Sequence, residues 1–229
     1  FDTWNTTDNA AYLHITSNNT VAGTQYRTFP KMKAGVTMIA DMSSDIMSRE
    51  FDVNQFGLIY AGAQKNLGPS GVALVIIRKD LLERTPETVP TMLRYATYVN
   101  EGSLYNTPPT YSIYMLALVT DWVKNLGGIK AIEKLNDAKA AKLYGYLDSS
   151  NFYRTPVQVE SRSRMNVVWR LPNEELEAQF VKEASKLGLT GLKGHRLVGG
   201  IRASIYNAMP MAGVDTLIDF MSEFARKNG

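Results

Sequence analysis

The chain has 229 residues, of which 45% are hydrophobic, and its 25 basic and 22 acidic side chains give a formal net charge of +3. This composition is typical of a folded globular protein, excludes an intrinsically disordered chain, and offers no electrostatic argument for nucleic-acid binding. The chain contains no Cys and only two His, which excludes disulfides and cysteine nucleophiles and makes a metal site unexpected.

The front half of the chain predicts strands that alternate with turns. Its longest apolar runs, residues 72–77 and 113–119, are far shorter than the roughly 20 residues that a membrane-spanning helix needs. We therefore expect no membrane-spanning segment, and the cysteine-free composition favours a cytoplasmic protein. The predicted strands cover residues 11–16, 35–41, 57–61 and 71–78. The continuous apolar run 72–77 predicts a last strand that is buried on both faces.

Two long helices follow the strands. The pair Pro108-Pro109 disfavours helical backbone just before it, so a helix is predicted only from about residue 110 to 125. Its apolar side chains leave little polar face, which predicts a buried helix. The next helix, residues 129–147, carries many charges and should be half exposed. A change of pattern at Gly127-Gly128 predicts two domains, residues 1–128 and 129–229.

The back of the chain continues as strand 165–171, helix 173–187, strand 200–206 and helix 214–227. Asn173 is the predicted N-cap of the first of these helices, with acidic residues in its first turn. The whole chain is therefore predicted to be α/β, and its back unit to be a small α/β sandwich.

One lysine stands in an unusual setting. Lys65 lies in the string AGAQKNLGPSG of residues 61–71, among small uncharged neighbours between two predicted strands. Partial desolvation there would lower the lysine pKa and favour nucleophilic chemistry. The string is not a Walker phosphate loop, because the lysine precedes Gly68 instead of following it. The alternative is a surface lysine in a hairpin loop.

Asp41 ends the predicted strand 24 residues before Lys65. In an open α/β sheet the carboxyl ends of neighbouring strands face one ligand site. A lysine that forms a Schiff base and a carboxylate that protonates a pyridine nitrogen are what pyridoxal phosphate chemistry requires. The alternative for Asp41 is a helix N-cap or an Asx turn.

A basic, glycine-rich segment spans residues 193–206 and contains His195, Arg196 and Arg202. Arginine suits bidentate binding of carboxylate or phosphate, so this segment predicts a small substrate with more than one acidic group if it faces Lys65. The alternative is a solvated basic turn. The other histidine, His14, lies between apolar residues of a predicted strand and is expected in or near the core.

Ordered motifs along the whole chain closely resemble those of the phosphoserine aminotransferases. They are YAGAQKNLGPSG (60–71), DMSSD (41–45), YNTPPT (105–110), SRMN (163–166), GHR (194–196) and GIRASIYNAMP (200–210). The resemblance implies a fold-type I pyridoxal phosphate enzyme that forms a homodimer with shared active sites. It also implies that this chain is the C-terminal part of such an enzyme, with a mainly parallel sheet from the large domain and a small α/β domain.

The resemblance assigns a role to each of nine residues. Lys65 matches the catalytic Schiff-base lysine and Asp41 the partner of the pyridine nitrogen. The further cofactor contacts that it implies are Thr20, Gln64 and, toward the neighbouring subunit, Asn106 and Thr107. The substrate contacts that it implies are Arg202 for the α-carboxylate, and His195 and Arg196 for the distal phosphate or carboxylate.

The implied reaction transfers an amino group between glutamate and 3-phosphohydroxypyruvate, with a related step on 4-phosphohydroxythreonine in pyridoxine synthesis. The family also has a long stretch before the residue that matches Phe1, including an aromatic residue that stacks on the cofactor. Trp4, Trp122 and Trp169 do not have the sequence context of that aromatic residue. We therefore expect this chain alone to be inactive. A glyoxylate-type aminotransferase and a non-catalytic folded fragment are the alternatives.

Overall fold

The computed structural model describes residues 7–229, so Phe1 and Trp4 lie outside the described residues. The strands and helices, in chain order, are β1 Tyr12–Thr16, β2 Asn18–Asn19, β3 Thr24–Gln25, β4 Thr37–Asp41, β5 Leu58–Gly62, β6 Ala73–Ile77, α1 Lys79–Leu82, α2 Tyr95–Asn100, α3 Thr110–Asn125, α4 Ile129–Ser149, β7 Asn166–Trp169, α5 Glu174–Lys186, β8 Ile201–Ser204 and α6 Met211–Asn228. The predicted strands and long helices are therefore present, with ends that shift by a few residues.

A four-stranded sheet in the order β1-β4-β5-β6 forms the front half. The first three strands are parallel, and β6 returns antiparallel to β5. In this register Thr16, Asp41 and Tyr60 lie side by side. The carboxyl ends of β1, β4 and β5 thus meet at one edge of the sheet, which is the edge where parallel α/β sheets bind ligands.

Alternating strand residues form the core of the front half. Ile15, Met38, Ala40, Ile59 and Ala61 are buried in one cluster. Three phenylalanines close one side of this cluster with edge-to-face contacts between their rings, a geometry that aromatic pairs prefer: Phe29, Phe51 and Phe56. The cluster holds the three parallel strands in register behind the edge that carries Asp41.

Two burial predictions for the front half are wrong for this chain. The strand β6 is an edge strand, and its residues are half-buried or exposed. In α3 only Val123 is buried among the described residues, whereas Tyr111, Tyr114 and Leu118 are 71%, 59% and 43% exposed. The helix is apolar as the sequence indicates, but no described segment covers this face.

The back unit packs three helices against one face of a two-stranded sheet. Strands β7 and β8 are antiparallel, with Val168 opposite Arg202. Their inner face and helices α4, α5 and α6 form a second core that includes Trp169, Phe180 and Met221. The predicted cap is confirmed, because the Asn173 side chain accepts a 2.9 Å hydrogen bond from the backbone N–H of Leu176. The opposite face of β7 and β8, which carries Arg202, turns toward the front half.

Within residues 7–229, no helix combines the length and the hydropathy needed to cross a membrane.

Candidate active site

Lys65 lies in a tight turn between β5 and β6. The Ala63 carbonyl accepts hydrogen bonds from the backbone N–H groups of Leu67 (3.1 Å) and Gly68 (2.8 Å), and the Ala63 N–H donates to Val72 (2.9 Å). Burial lowers the pKa of Lys65, the nearby Asp41 carboxylate opposes this shift, and the charge of Arg202 adds to it. The hairpin-loop alternative therefore describes the backbone correctly, but the side chain is half-buried and faces charged groups.

Asp41 ends β4 and interacts electrostatically with Lys65 across the sheet edge. One of its carboxylate oxygens accepts a 2.8 Å hydrogen bond from the backbone N–H of Ser43. This bond is the Asx turn that the sequence offered as the alternative. The turn fixes the carboxylate at the strand end, where it interacts with Lys65.

His14 is exposed and not in the core, which corrects the sequence prediction. Its Nε2 lies 3.1 Å from the Tyr60 hydroxyl. Burial, followed by the Asp41 charge, raises the pKa of Tyr60. His14 occupies a strand position, but β1 is the edge of the described sheet and leaves that side chain uncovered.

Arg202 reaches the same edge from the back unit. Its Nη1 donates a 3.1 Å hydrogen bond to the backbone carbonyl of Thr20. Its Nε is buried and has no hydrogen-bond partner among residues 7–229. A buried donor without a partner is costly, and Arg202 also lines a cavity, so an anionic ligand there would supply the missing acceptor. The structure thus brings together Thr20, Asp41, Lys65 and Arg202, four of the nine residues singled out in the sequence.

A cavity of about 450 Å³ lies on the Arg202 face of β7 and β8, and His195 also lines it. The Nδ1 atom of His195 accepts a hydrogen bond from the backbone N–H of Leu197 at 3.3 Å. Arg196 is exposed and does not line this cavity. The basic segment therefore contributes Arg202 and His195 to one cavity and leaves Arg196 at its outside.

Three predicted cofactor contacts have exposed side chains. Gln64 is exposed, and its amide folds over Gly62, where a Cβ atom would come within 2.6 Å of its Oε1. Asn106 and Thr107 are exposed in the loop before α3. Asn106 lines a groove between β6, α2 and α3 and does not line the Arg202 cavity.

Beneath Asp41 lies a buried polar network that sequence reasoning did not identify. The Asn18 side-chain amide donates to the Ser44 hydroxyl and to the side-chain Oδ1 of Asn166, both at 2.8 Å. Asp45 accepts hydrogen bonds from Ser17 and from Gln25, and burial raises its pKa. Some of these residues stand in the quoted motifs, but the spacing of motifs along the chain does not reveal which side chains pair.

A second polar junction joins α4 to the segment after β8. The Lys139 ammonium is buried and donates to the carbonyls of Ile205 (3.1 Å) and Tyr206 (2.7 Å), with a longer contact to Asn207 (3.4 Å). Asn136 donates to the side-chain oxygen of Asn207 at 2.8 Å. These bonds hold the chain that leaves the Arg202 strand.

Comparison with known proteins places this arrangement in a family. Residues 2–217 match the family described as aminotransferase class-V. The chain belongs to that family. A phosphoserine aminotransferase from Geobacillus kaustophilus is 59% identical over 220 residues, which cover 96% of this chain and 61% of the relative. The chain thus spans about three fifths of the length of the curated relatives that it matches.

Solved structures of the family agree with the fold. The phosphoserine aminotransferase from Bacillus circulans subsp. alkalophilus has a TM-score of 0.95 at 55% identity, over 98% of this chain and 62% of that one. The pyridoxal phosphate-bound phosphoserine aminotransferase from Trichomonas vaginalis has a TM-score of 0.91 at 39% identity, over 96% and 62%. The predicted resemblance and the predicted α/β aminotransferase fold are both confirmed.

Proposed function

We propose that this chain contributes the Schiff-base lysine and neighbouring residues to a phosphoserine aminotransferase active site. The reaction transfers the amino group of glutamate to 3-phosphohydroxypyruvate and yields 2-oxoglutarate and O-phosphoserine. The observation that carries the proposal is the convergence of Lys65, Asp41 and Arg202 at one sheet edge in a class-V aminotransferase chain. The high identity to relatives of that name supports this substrate pair.

The residues at this edge fit pyridoxal phosphate. When bound, this cofactor supplies an aldehyde that reacts with amines and a ring that accepts electrons from the substrate. Lys65 is suited to react with the aldehyde, because burial lowers the lysine pKa and so raises the fraction of neutral, nucleophilic amine. Asp41 supplies the carboxylate that would hold a protonated ring nitrogen. Thr20 and Gln64 would contribute polar contacts to the ring and the phosphate.

The remaining polar groups suit an anionic substrate. Arg202 would bind the α-carboxylate through the donors that it does not use on Thr20. His195, in the same cavity, and Arg196, just outside it, would bind the distal phosphate or carboxylate. In its neutral form, Lys65 would move a proton to and from the substrate Cα. The related step on 4-phosphohydroxythreonine needs the same charges.

The assembly follows from the same proposal. We divide the chain into part of a large cofactor-binding domain, residues 1–128, and a small domain, residues 129–229. The two separate hydrophobic clusters support this division. The enzyme would be a cytoplasmic homodimer, with Asn106 and Thr107 serving the neighbouring subunit. Both residues are exposed and neither lines the Arg202 cavity, which agrees with that role.

Covalent labelling tests the proposed lysine. We define the completed chain as this chain joined to the part of the Geobacillus kaustophilus relative that it does not match. After incubation with pyridoxal phosphate and borohydride reduction, peptide mapping should find pyridoxyl on Lys65. Lys65→Ala should abolish both labelling and turnover, whereas Lys186→Ala, a substitution of an exposed lysine in α5, should preserve both. Labelling at another lysine would contradict the proposal.

The alternatives predict different results. A glyoxylate-type aminotransferase would turn over glyoxylate faster than phosphohydroxypyruvate in steady-state assays of the completed chain. A non-catalytic fragment would acquire no pyridoxyl group in either form. We expect phosphohydroxypyruvate to be preferred and the 229-residue chain alone to show no measurable transamination.

A further inference from the structure

Asn66, the residue next to the proposed Schiff-base lysine, is 5% exposed. Its side chain points away from solvent and contacts two other segments of the site. The Nδ2 atom donates to the backbone carbonyl of Ser44 at 3.4 Å. The Oδ1 atom accepts a hydrogen bond from the backbone N–H of Asn207 at 3.1 Å. These two partners are main-chain groups, and Nδ2 also contacts the Met165 sulfur at 3.6 Å. The position of the Asn66 side chain is therefore tied to the backbones of two other segments.

Each of these backbones carries another residue of the site. Ser44 lies three residues after Asp41, in the turn that leaves β4. Asn207 lies five residues after Arg202, on the segment that leaves β8. The Asn66 amide therefore stands where the lysine turn, the aspartate turn and the arginine strand meet. No other described side chain hydrogen-bonds to both the Ser44 and the Asn207 backbone.

The two partner segments are themselves held firmly. The Ser43 hydroxyl accepts a 3.0 Å hydrogen bond from the Gly62 N–H, which fixes the aspartate turn against β5. Lys139 and Asn136 hold the Asn207 segment to α4. Asn66 thus joins the lysine turn to two anchored backbones, and a rigid supporting contact of this kind is what sets catalytic geometry.

We propose that Asn66 is a positioning residue that sets the location of Lys65 relative to Asp41 and Arg202. This inference rests on the proposed function. Without the amide, the turn 63–68 keeps its own backbone hydrogen bonds but loses the two side-chain hydrogen bonds that join it directly to the Ser44 and Asn207 backbones. The Lys65 amine then samples positions farther from Asp41 and Arg202, and its reaction with an aldehyde slows.

The test compares Asn66→Ala with the unsubstituted completed chain. We expect the rate of borohydride-trapped labelling of Lys65 by pyridoxal phosphate alone to fall about 10- to 100-fold, since a misplacement of about 1 Å can slow a reaction about 100-fold. We expect kcat to fall with it and the KM for glutamate to change less, because Arg202 stays on its own strand.

A loss of stability alone would not change the labelling rate of the folded protein. Tyr153→Phe provides the matched control, because it removes a buried 2.8 Å hydrogen bond to the Met221 carbonyl in the second core, away from Lys65. It should lower the melting temperature and leave Lys65 labelling unchanged. If Asn66→Ala does not fold, the labelling rate of Asn66→Ser tests the proposal instead, since the serine side chain is too short to hydrogen-bond to both backbones.

The two proposals fail in different ways. Labelling and kcat within twofold of the unsubstituted protein for a folded Asn66 variant would overturn the positioning role and leave the proposed function intact. Absence of Lys65 labelling in the unsubstituted completed chain would overturn both.

Discussion

Arg202 uses one guanidinium donor on the protein backbone and leaves another donor unpaired among the described residues. Its Nη1 is used on the Thr20 carbonyl, while its buried Nε has no described partner. Lysine would keep the charge but could not supply two donors in a fixed plane. We expect Arg202→Lys in the completed chain to raise the KM for glutamate about 10- to 100-fold, the range of one or two charge-assisted hydrogen bonds.

Steady-state assays at several glutamate concentrations check this expectation. Arg226→Lys is the control, because Arg226 is exposed on α6 and pairs only with Glu223 among the described residues. A second variant, Arg202→Gln, removes the positive charge that helps to lower the pKa of Lys65. The pH of half-maximal Lys65 labelling should therefore move upward. An unchanged KM in Arg202→Lys would contradict the assigned role.

Individual residues differed in how far the sequence could identify them. Lys65 and Asp41 stood out as candidates, because a lysine among small residues and a carboxylate at a strand end are local signals, but only the family resemblance assigned them roles. Asn66 and Asn207 also lie in the family motifs, at 60–71 and 200–210, but no local sequence pattern marked them as candidate site residues. Their importance lies in pairings across 141 positions of the chain, and no local pattern encodes such a contact.

At the scale of elements, the buried Lys139 on α4 is the least expected feature. The sequence predicts a half-exposed helix from its many charges, but the Lys139 side chain is buried. Its ammonium instead binds the carbonyls after β8, and no described carboxylate pairs with it. Burial lowers its pKa from 10.5 to about 8. The lysine therefore joins α4 to β8 through hydrogen bonds and at a desolvation cost.

This shift makes stability depend on pH. Between about pH 8 and 10.5 the unfolded chain holds the Lys139 proton more strongly than the folded chain does. The contribution of this residue to the free energy of unfolding therefore rises with pH across that window. We expect a rise on the order of 1 to 2 kcal/mol, after a discount for partial solvent screening.

Urea unfolding of the completed chain at pH 7.5 and pH 10 measures this rise. Lys139→Met is the comparison, since its side chain fills similar space without a charge. Other titrating groups are common to both proteins, so the difference between them isolates Lys139. An identical pH dependence in the two proteins would contradict the prediction.

Elements themselves were largely predictable, because apolar periodicity, the Pro108-Pro109 pair and the Asn173 cap are local signals of where helices and strands begin. Burial was not. The apolar residues of α3 predict a buried helix, yet Tyr111, Tyr114 and Leu118 are exposed. Apolar periodicity indicates that a helix face packs against something, but it does not indicate which segment or which chain packs there.

At the scale of the whole molecule, this exposed face of α3 matters most. Tyr111, Tyr114, Leu118 and Trp122 recur at helical spacing, so they form one apolar stripe along the helix. Contiguous exposed apolar surface of this kind marks contact with another chain or segment. The proposed homodimer, with Asn106 and Thr107 in the loop just before α3, would bring such a surface close to the shared active sites.

We therefore expect Tyr114→Asp to impair dimerisation of the completed chain, because the substitution puts a charge in the middle of the stripe. If dimerisation is lost, activity should fall with it, since Asn106 and Thr107 would no longer reach the neighbouring site. Leu187→Asp is the control: Leu187 is 67% exposed at the end of α5 in the back unit. Sedimentation velocity and transamination assays should show a dimeric, active control and a more monomeric, less active Tyr114→Asp protein. A Tyr114→Asp protein that stays dimeric with full activity would show that this face of α3 is not the subunit contact.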